Sequence, residues 1–120
     1  MERVRETLKK EKPFDLVAIV HCETSCGIMN PVRELASIVH EYGAVFLVDA
    51  VASLGAVEFE MDEWDIDICV TASQKGLEAP PGLTPIAVRE RAWKLIDSRI
   101  NGSPGWYLNL RTWREVALSM

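Results

Sequence analysis

Three short groups of polar residues directly follow apolar runs in this sequence. They are residues 21–25 (His-Cys-Glu-Thr-Ser), Asp49, and residues 73–75 (Ser-Gln-Lys). Ligands of open α/β sheets bind beyond the carboxyl ends of the strands, so we expect the three groups to lie together in a site. A carboxylate and an amine that are partly removed from water each require a partner. Asp49 and Lys75 therefore either form a salt bridge with each other or belong to a ligand site, and the residue pattern leaves both open.

The other residues with reactive side chains are interpreted as structural residues. His21, at the end of an apolar run, is interpreted as a hydrogen-bonded structural residue, and His40 as a surface residue of a helix. Ser53 and Ser73 have no neighbouring histidine to activate them, which argues against a hydrolase triad. The three cysteines lack the spacing of a zinc site and indicate a reducing compartment. No glycine-rich phosphate loop is present, and the four tryptophans are assigned to packing.

The elements that position these groups follow from hydrophobic periodicity and from stop signals. A helix is predicted between Asn30, which can cap it, and Gly43, which can end it in a left-handed turn. Alternating strands and helices indicate βαβ units, and hence an α/β fold with a mostly parallel sheet, part of a three-layer αβα domain. Few helices are available to cover the sheet, so we expect exposed apolar sheet surface. The other predicted elements are helices at 2–11 and 89–98, strands at 16–20, 44–48, 66–72 and 85–88, a helical turn at 62–65, a rigid loop at 79–82, a loop at 21–29 and a turn at 101–105.

Length and composition limit the class of protein. The chain has 120 residues, enough for one modest domain, and its net charge of −5 argues against nucleic acid or an anionic membrane as a partner. No apolar run approaches the roughly 18 residues of a membrane helix, and the charged N-terminus does not resemble a secretory signal. We therefore expect a cytoplasmic protein.

Several motifs in register resemble one enzyme family. They are His-Cys-Glu-Thr-Ser at 21–25, Val-Asp-Ala-Val-Ala-Ser-Leu-Gly at 48–55, Ser-Gln-Lys-Gly-Leu at 73–77 and Ala-Pro-Pro-Gly at 79–82. Together they resemble the class V aminotransferases, which depend on pyridoxal 5'-phosphate (PLP), and within them the alanine–glyoxylate and serine–glyoxylate branch. The 26 positions from Asp49 to Lys75 are also the spacing of that branch.

The resemblance implies a role for each site residue. Lys75 would form a Schiff base with the cofactor aldehyde, and Asp49 would pair with the pyridine nitrogen. Val51 would pack against the ring, Thr24 would hydrogen-bond the ring hydroxyl, and Gln74 would reach the phosphate. An ionised carboxylate at the ring nitrogen keeps it protonated, so that the ring can accept the electrons of a substrate carbanion.

The resemblance also implies a function for the whole enzyme. It would be a homodimer that moves an amino group from alanine or serine to glyoxylate or a similar 2-oxo acid. Residues 1–120 correspond to the central part of the PLP-binding large domain, without the phosphate-binding turn, the ring-stacking aromatic, the substrate-binding arginine or the small C-terminal domain. We therefore expect the isolated chain to be inactive. Another class V chemistry, such as that of a cysteine desulfurase or a lyase, and a non-catalytic truncated or scaffold subunit both remain alternatives.

Overall fold

A computed structural model of the protein describes residues 1–10, 13–99 and 105–120, so the turn expected at 101–105 lies almost entirely outside the described residues. None of the helices in the described ranges has the length and apolarity needed to cross a membrane. In chain order the elements are α1 (Glu2–Lys10), β1 (Leu16–Val20), β2 (Cys22–Glu23), β3 (Ile28–Met29), α2 (Val32–Glu41), β4 (Val45–Asp49), β5 (Ile68–Val70), β6 (Ile86–Val88), α3 (Glu90–Ser98) and α4 (Leu110–Ser119).

The main sheet has four strands in the order β1-β4-β5-β6. β1 and β5 both pair with β4 in parallel, and α2 forms the crossover between β1 and β4. β6 runs antiparallel to β5, because the chain returns through a loop instead of crossing the sheet through a helix. The prediction of an α/β fold with a mostly parallel sheet is confirmed.

The sheet is buried on both faces at β4. On one face, Phe46 and Val48 pack in a cluster with the apolar side of α2 and with Trp64 and Ile66. On the other face, Val45 packs with Ile68 of β5 and with α3. β1 lies at the edge of the sheet, and Leu16 at its start is 42% exposed.

Several local predictions are corrected by the structure. Residues 21–29 are not only loop, because β2 and β3 form a short antiparallel hairpin there. Asn30 does not cap α2, which begins after Pro31 without a side-chain cap. The third strand is shorter than predicted, and residues 110–119 form a helix that periodicity did not indicate. Trp64 is buried as expected, whereas Trp106 is 69% exposed and does not serve core packing.

His40 is not a surface residue, as the sequence had suggested. Its Nε2 lies 2.8 Å from Asp67 Oδ2, and its Nδ1 lies 3.0 Å from Asp65 Oδ2. The buried Asp67 carboxylate also accepts a hydrogen bond from the backbone N–H of Phe46 at 2.8 Å, and Arg91 lies 3.2 Å from it. We call His40, Asp65, Asp67 and Arg91 the charge cluster. It lies at the amino edge of the sheet, where β4 and β5 begin.

Candidate active site

The three polar groups identified in the sequence meet at the opposite, carboxyl edge of the sheet. In the pairing register Val20 at the end of β1 lies beside Asp49, and Asp49 lies beside Val70 at the end of β5. The residues that follow these ends are therefore held at the same height of the sheet. The strand ends that precede residues 21–25 and 73–75 therefore lie at the same edge of the sheet as Asp49.

Asp49 is fixed in place from both its backbone and its side chain. Its carbonyl oxygen accepts a hydrogen bond from the backbone N–H of His21 at 2.8 Å, which extends the β1–β4 ladder by one residue. Its carboxylate Oδ1 accepts from the backbone N–H of Val51 at 2.9 Å. This hydrogen bond orients one oxygen of the carboxylate. Asp49 is half-buried, so its side chain keeps some access to solvent. A carboxylate held in this way is suited to pair with a cationic N–H group of a ligand.

Thr24 lies exposed in the turn of the β2–β3 hairpin, beyond the end of β1. Asn30 holds this hairpin to the strand end, because its backbone N–H donates to His21 O at 2.8 Å and its side-chain Nδ2 donates to Val20 O at 2.8 Å. Within the turn, Glu23 accepts the backbone N–H of Ser25 at 2.9 Å, and this hydrogen bond lowers the pKa of the Glu23 carboxyl. Asn30 was assigned to the wrong role from sequence; its actual role is to position the hairpin.

His21 is a hydrogen-bonded structural residue, as predicted, and its hydrogen bonds to Asp49 and Asn30 are made by the backbone. Its ring is buried against Phe59 and Trp64, with ring centroids 5.6 and 5.8 Å away. Among the described residues, its Nδ1 has no hydrogen-bond partner. Burial lowers the pKa of His21, which favours the neutral ring. The His21 side chain thus belongs to the core that lies next to the candidate site.

Lys75 and Gln74 are exposed on a loop that a buried serine anchors. The hydroxyl of Ser73 donates to Pro80 O at 2.6 Å, and the backbone N–H of Ser73 donates to Leu83 O at 3.1 Å. The loop that carries the lysine is therefore closed at its base by one residue. This anchoring role of Ser73 was not predicted from the sequence, although serine hydroxyls do hydrogen-bond nearby backbone groups in turns.

The structure contains no salt bridge between Asp49 and Lys75 within the part of the chain that it describes. The Asp49 carboxylate instead bonds the Val51 amide, and the Lys75 carbonyl accepts the backbone N–H of Glu78 at 2.9 Å. Asp49 does act electrostatically on a neighbour: burial, with a further contribution from the Asp49 charge, raises the pKa of Cys69 to about 11. Over the described ranges, no group of three or more His, Cys, Asp or Glu residues could hold a metal ion.

Comparisons with known proteins agree with this arrangement. Residues 1–111 match the model of the family described as Aminotransferase class-V. An uncharacterized aminotransferase of Methanocaldococcus jannaschii is 44% identical over 114 residues, which are 95% of this chain and 29% of that protein. The alanine–glyoxylate aminotransferase of Mus musculus is 37% identical over 110 residues, which are 92% of this chain and 26% of that protein.

A solved structure gives the same result for the fold. The alanine–glyoxylate aminotransferase from Nostoc sp. superposes with a TM-score of 0.89 at 34% sequence identity, covering 96% of this chain and 30% of that one. The chain thus spans less than a third of the length of the relatives it matches. The resemblance inferred from the motifs is confirmed, and the α/β fold is that of part of a PLP-dependent transferase large domain. Because the family model covers most of the sequence, the chain belongs to the class V aminotransferase family.

Proposed function

We propose that the whole protein is a PLP-dependent aminotransferase that moves an amino group from alanine or serine to glyoxylate or a similar 2-oxo acid. Class V aminotransferases are PLP-dependent, and relatives named alanine–glyoxylate aminotransferases support the substrate class. The observation that carries the proposal is the register of the strand ends. It puts Asp49 between the hairpin that holds Thr24 and the strand whose loop holds Lys75.

The polar groups at this edge fit the functional groups of PLP. An exposed amine, Lys75, can hold the aldehyde covalently, and the oriented carboxylate of Asp49 can pair with the ring nitrogen. The hydroxyl of Thr24 suits the ring hydroxyl and the amide of Gln74 suits the phosphate, since both side chains are exposed at the same edge. Val51, half-buried two residues after Asp49, offers an apolar contact for the ring.

The chemistry divides between the cofactor and the chain. When bound, PLP supplies an electron sink for the carbanion formed at the substrate α-carbon. Asp49 contributes a fixed negative charge that keeps the ring nitrogen protonated, and the Val51 N–H holds that carboxylate in one orientation. Lys75 contributes an amine that can attack a carbonyl and, once free, carry the α-proton. Ser73, two residues before this lysine, fixes the base of its loop through a hydrogen bond to Pro80 O.

Covalent attachment of the cofactor tests the role of Lys75. The protein, produced as its gene encodes it, is incubated with PLP, reduced with borohydride and digested, and the modified peptide is identified by mass spectrometry. We expect the pyridoxyl group on Lys75 and no visible cofactor band in Lys75→Ala. Lys94→Ala, which removes an exposed lysine from α3, is the matched control and should keep the band. Modification at another lysine, or a full band in Lys75→Ala, would contradict the proposal.

Amino transfer itself tests the reaction and the role of Asp49. Transfer from alanine or serine to glyoxylate is expected, whereas sulfide release from cysteine would instead indicate a desulfurase. Asp49→Asn removes the charge that the ring nitrogen needs, and we expect the rate to fall by about a hundredfold or more. Asp15→Asn changes an exposed carboxylate at the amino edge of the same sheet and should leave the rate unchanged.

We further propose that the whole protein is a homodimer. The apolar side chains that this part of the chain leaves exposed, including Trp106, Leu108 and Leu118, are consistent with cover from further protein surface. Light scattering coupled to size exclusion gives the mass directly, and a monomeric mass at micromolar concentration would contradict this part of the proposal.

A further inference from the structure

Two glycines bring the two halves of the site into direct backbone contact. Gly55 belongs to the turn that follows Asp49, and Gly76 directly follows Lys75. A Cβ built on Gly55 would lie 2.6 Å from the carbonyl oxygen of Gly76 and 2.9 Å from its carbonyl carbon. A Cβ built on Gly76 would collide with the carbonyl oxygen of Leu54 and lie 2.9 Å from the backbone nitrogen of Ala56. The two segments therefore touch at a separation that no side chain can enter.

Each of these segments is rigidly connected to a residue of the site. The turn at 50–57 is closed by hydrogen bonds from Leu54 N–H to Ala50 O at 2.9 Å and from Val57 N–H to Ser53 O at 3.0 Å. Ala50 continues the β4–β5 ladder, because its N–H donates to Val70 O at 2.8 Å. On the other side, Gly76 lies in the loop whose base is fixed at Ser73. A displacement at the glycine contact is therefore passed to the segments that carry Asp49 and Lys75.

From this geometry we infer that Gly55 and Gly76 are positioning residues, which set the separation between the ring-nitrogen carboxylate and the cofactor-holding lysine. The inference rests on the proposed function. Adding a methyl group at Gly55 requires one backbone to move by about 0.8 Å, the difference between 2.6 Å and the 3.4 Å at which ordinary contact begins. A misplacement of about 1 Å can lower a catalysed rate on the order of a hundredfold.

A matched set of variants separates the effect of the glycine contact from the effect of ordinary backbone strain. Gly55 has a φ of +84°, so Gly55→Ala adds both strain and the clash. Gly76 lies outside the left-handed region, so Gly76→Ala adds the clash alone. Gly43 has a φ of +75° and no atom within 4 Å of its built Cβ, and it lies at the amino edge before β4. Gly43→Ala therefore adds strain without touching the site.

The test measures the visible absorption band of bound PLP, its wavelength and the pH at which it changes, together with Tm and the Kd for PLP. We expect Gly76→Ala and Gly55→Ala to shift the band and to weaken PLP binding at least about tenfold, because the lysine and the carboxylate no longer match one ring. Gly43→Ala should lower Tm and leave the band unchanged. A purely structural role would lower the amplitude of the band in all three variants and leave its wavelength and pH dependence as they are.

Three results would overturn the inference. An unshifted band and unchanged PLP affinity in folded Gly76→Ala would show that the contact does not position the site, although the proposed function would stand. If Gly76→Ala does not fold, Ala56→Val replaces it, since the Ala56 Cβ lies 3.2 Å from a Cβ built on Gly76 and so borders the same contact. An unshifted band in that variant overturns the inference, and a shifted one supports it. If the wild-type protein shows no band that depends on Lys75, the proposed function fails and the inference fails with it.

Discussion

Asp67 gives the sharpest prediction about stability, because its carboxylate is 1% exposed and serves three partners. It accepts hydrogen bonds of 2.8 Å from His40 Nε2 and from the backbone N–H of Phe46, and it lies 3.2 Å from Arg91 Nη1. Asp67→Asn keeps the shape of the side chain and removes its charge. An amide oxygen can still accept a hydrogen bond, so the main loss is the strengthening that the carboxylate charge gives to the hydrogen bonds it accepts.

The expected loss follows from the burial of each partner. Hydrogen bonds to a charged group contribute about 1.5–3 kcal/mol each. The side chain of Arg91 is 47% exposed, so solvent screening reduces its share to about 1 kcal/mol or less. The side chain of His40 is only 16% exposed and accounts for most of the effect. We expect Asp67→Asn to lower the free energy of unfolding by about 3 kcal/mol, because the hydrogen bonds from His40 and Phe46 both lose a charged acceptor.

Urea denaturation measures this loss. With an m-value of about 2 kcal/mol per M, a change of 3 kcal/mol moves the midpoint by roughly 1.5 M. Glu41→Gln is the control, because Glu41 neighbours His40 in the chain but pairs with Arg5 at an exposed position, where solvent screening should leave the stability nearly unchanged. In a double-mutant cycle, Asp67→Asn and His40→Gln should couple by about 1 kcal/mol or more. A loss below about 1 kcal/mol for Asp67→Asn, or strict additivity with His40→Gln, would refute this account of the charge cluster.

Three further predictions concern single groups. Burial tends to raise the pKa of the Asp65 carboxyl, but hydrogen bonds from arginines and nearby positive charges hold it below its ordinary value. Its contribution to stability is thus present above that ordinary value and is lost as the pH falls through the lowered one, so Asp65→Asn should flatten the acid limb of a stability-versus-pH curve. With a pKa of about 11, buried Cys69 should react with a thiol reagent at pH 8 far more slowly than exposed Cys26, as peptide mapping would show. Ser73→Ala should cost about 1–3 kcal/mol in thermal denaturation, because the loop loses its buried hydroxyl anchor.

The elements that the sequence predicted well are those with strong local signals. Three apolar runs became β1, β4 and β5, and the helix between Asn30 and Gly43 ended at the glycine with a φ of +75°, as its position indicated. Parallel pairing then follows from the βαβ order, and pairing aligns the strand ends. The edge of the sheet at which the candidate site lies could therefore be deduced without coordinates.

The features that the sequence did not reveal depend on partners far apart in the chain. His40 meets Asp67 across 27 positions, and Asp67 was placed inside a predicted strand where an acid has no local explanation. Asn30 has a residue type that favours helix caps. Its side chain instead donates a hydrogen bond to the carbonyl of Val20 and thereby holds the hairpin to the strand end. The close approach of Gly55 and Gly76 is similarly invisible, because a glycine in a turn does not indicate what lies against it.

We expect the amino edge of the sheet to contribute mainly to stability and the carboxyl edge mainly to cofactor binding. Substitutions at each edge test this difference. At the amino edge, the charge cluster joins α2, β4, β5 and α3 through the buried Asp67 carboxylate, whose Oδ2 bonds His40 and Phe46 and whose Oδ1 lies 3.2 Å from Arg91 Nη1. At the carboxyl edge, Thr24, Gln74 and Lys75 are exposed, and their loops are held by backbone contacts and buried anchors. Substitutions at Asp67 should therefore reduce stability with little change in the absorption band of the cofactor. Asp49→Asn should do the reverse, because its carboxylate contributes one local hydrogen bond to the fold and its charge to the ligand.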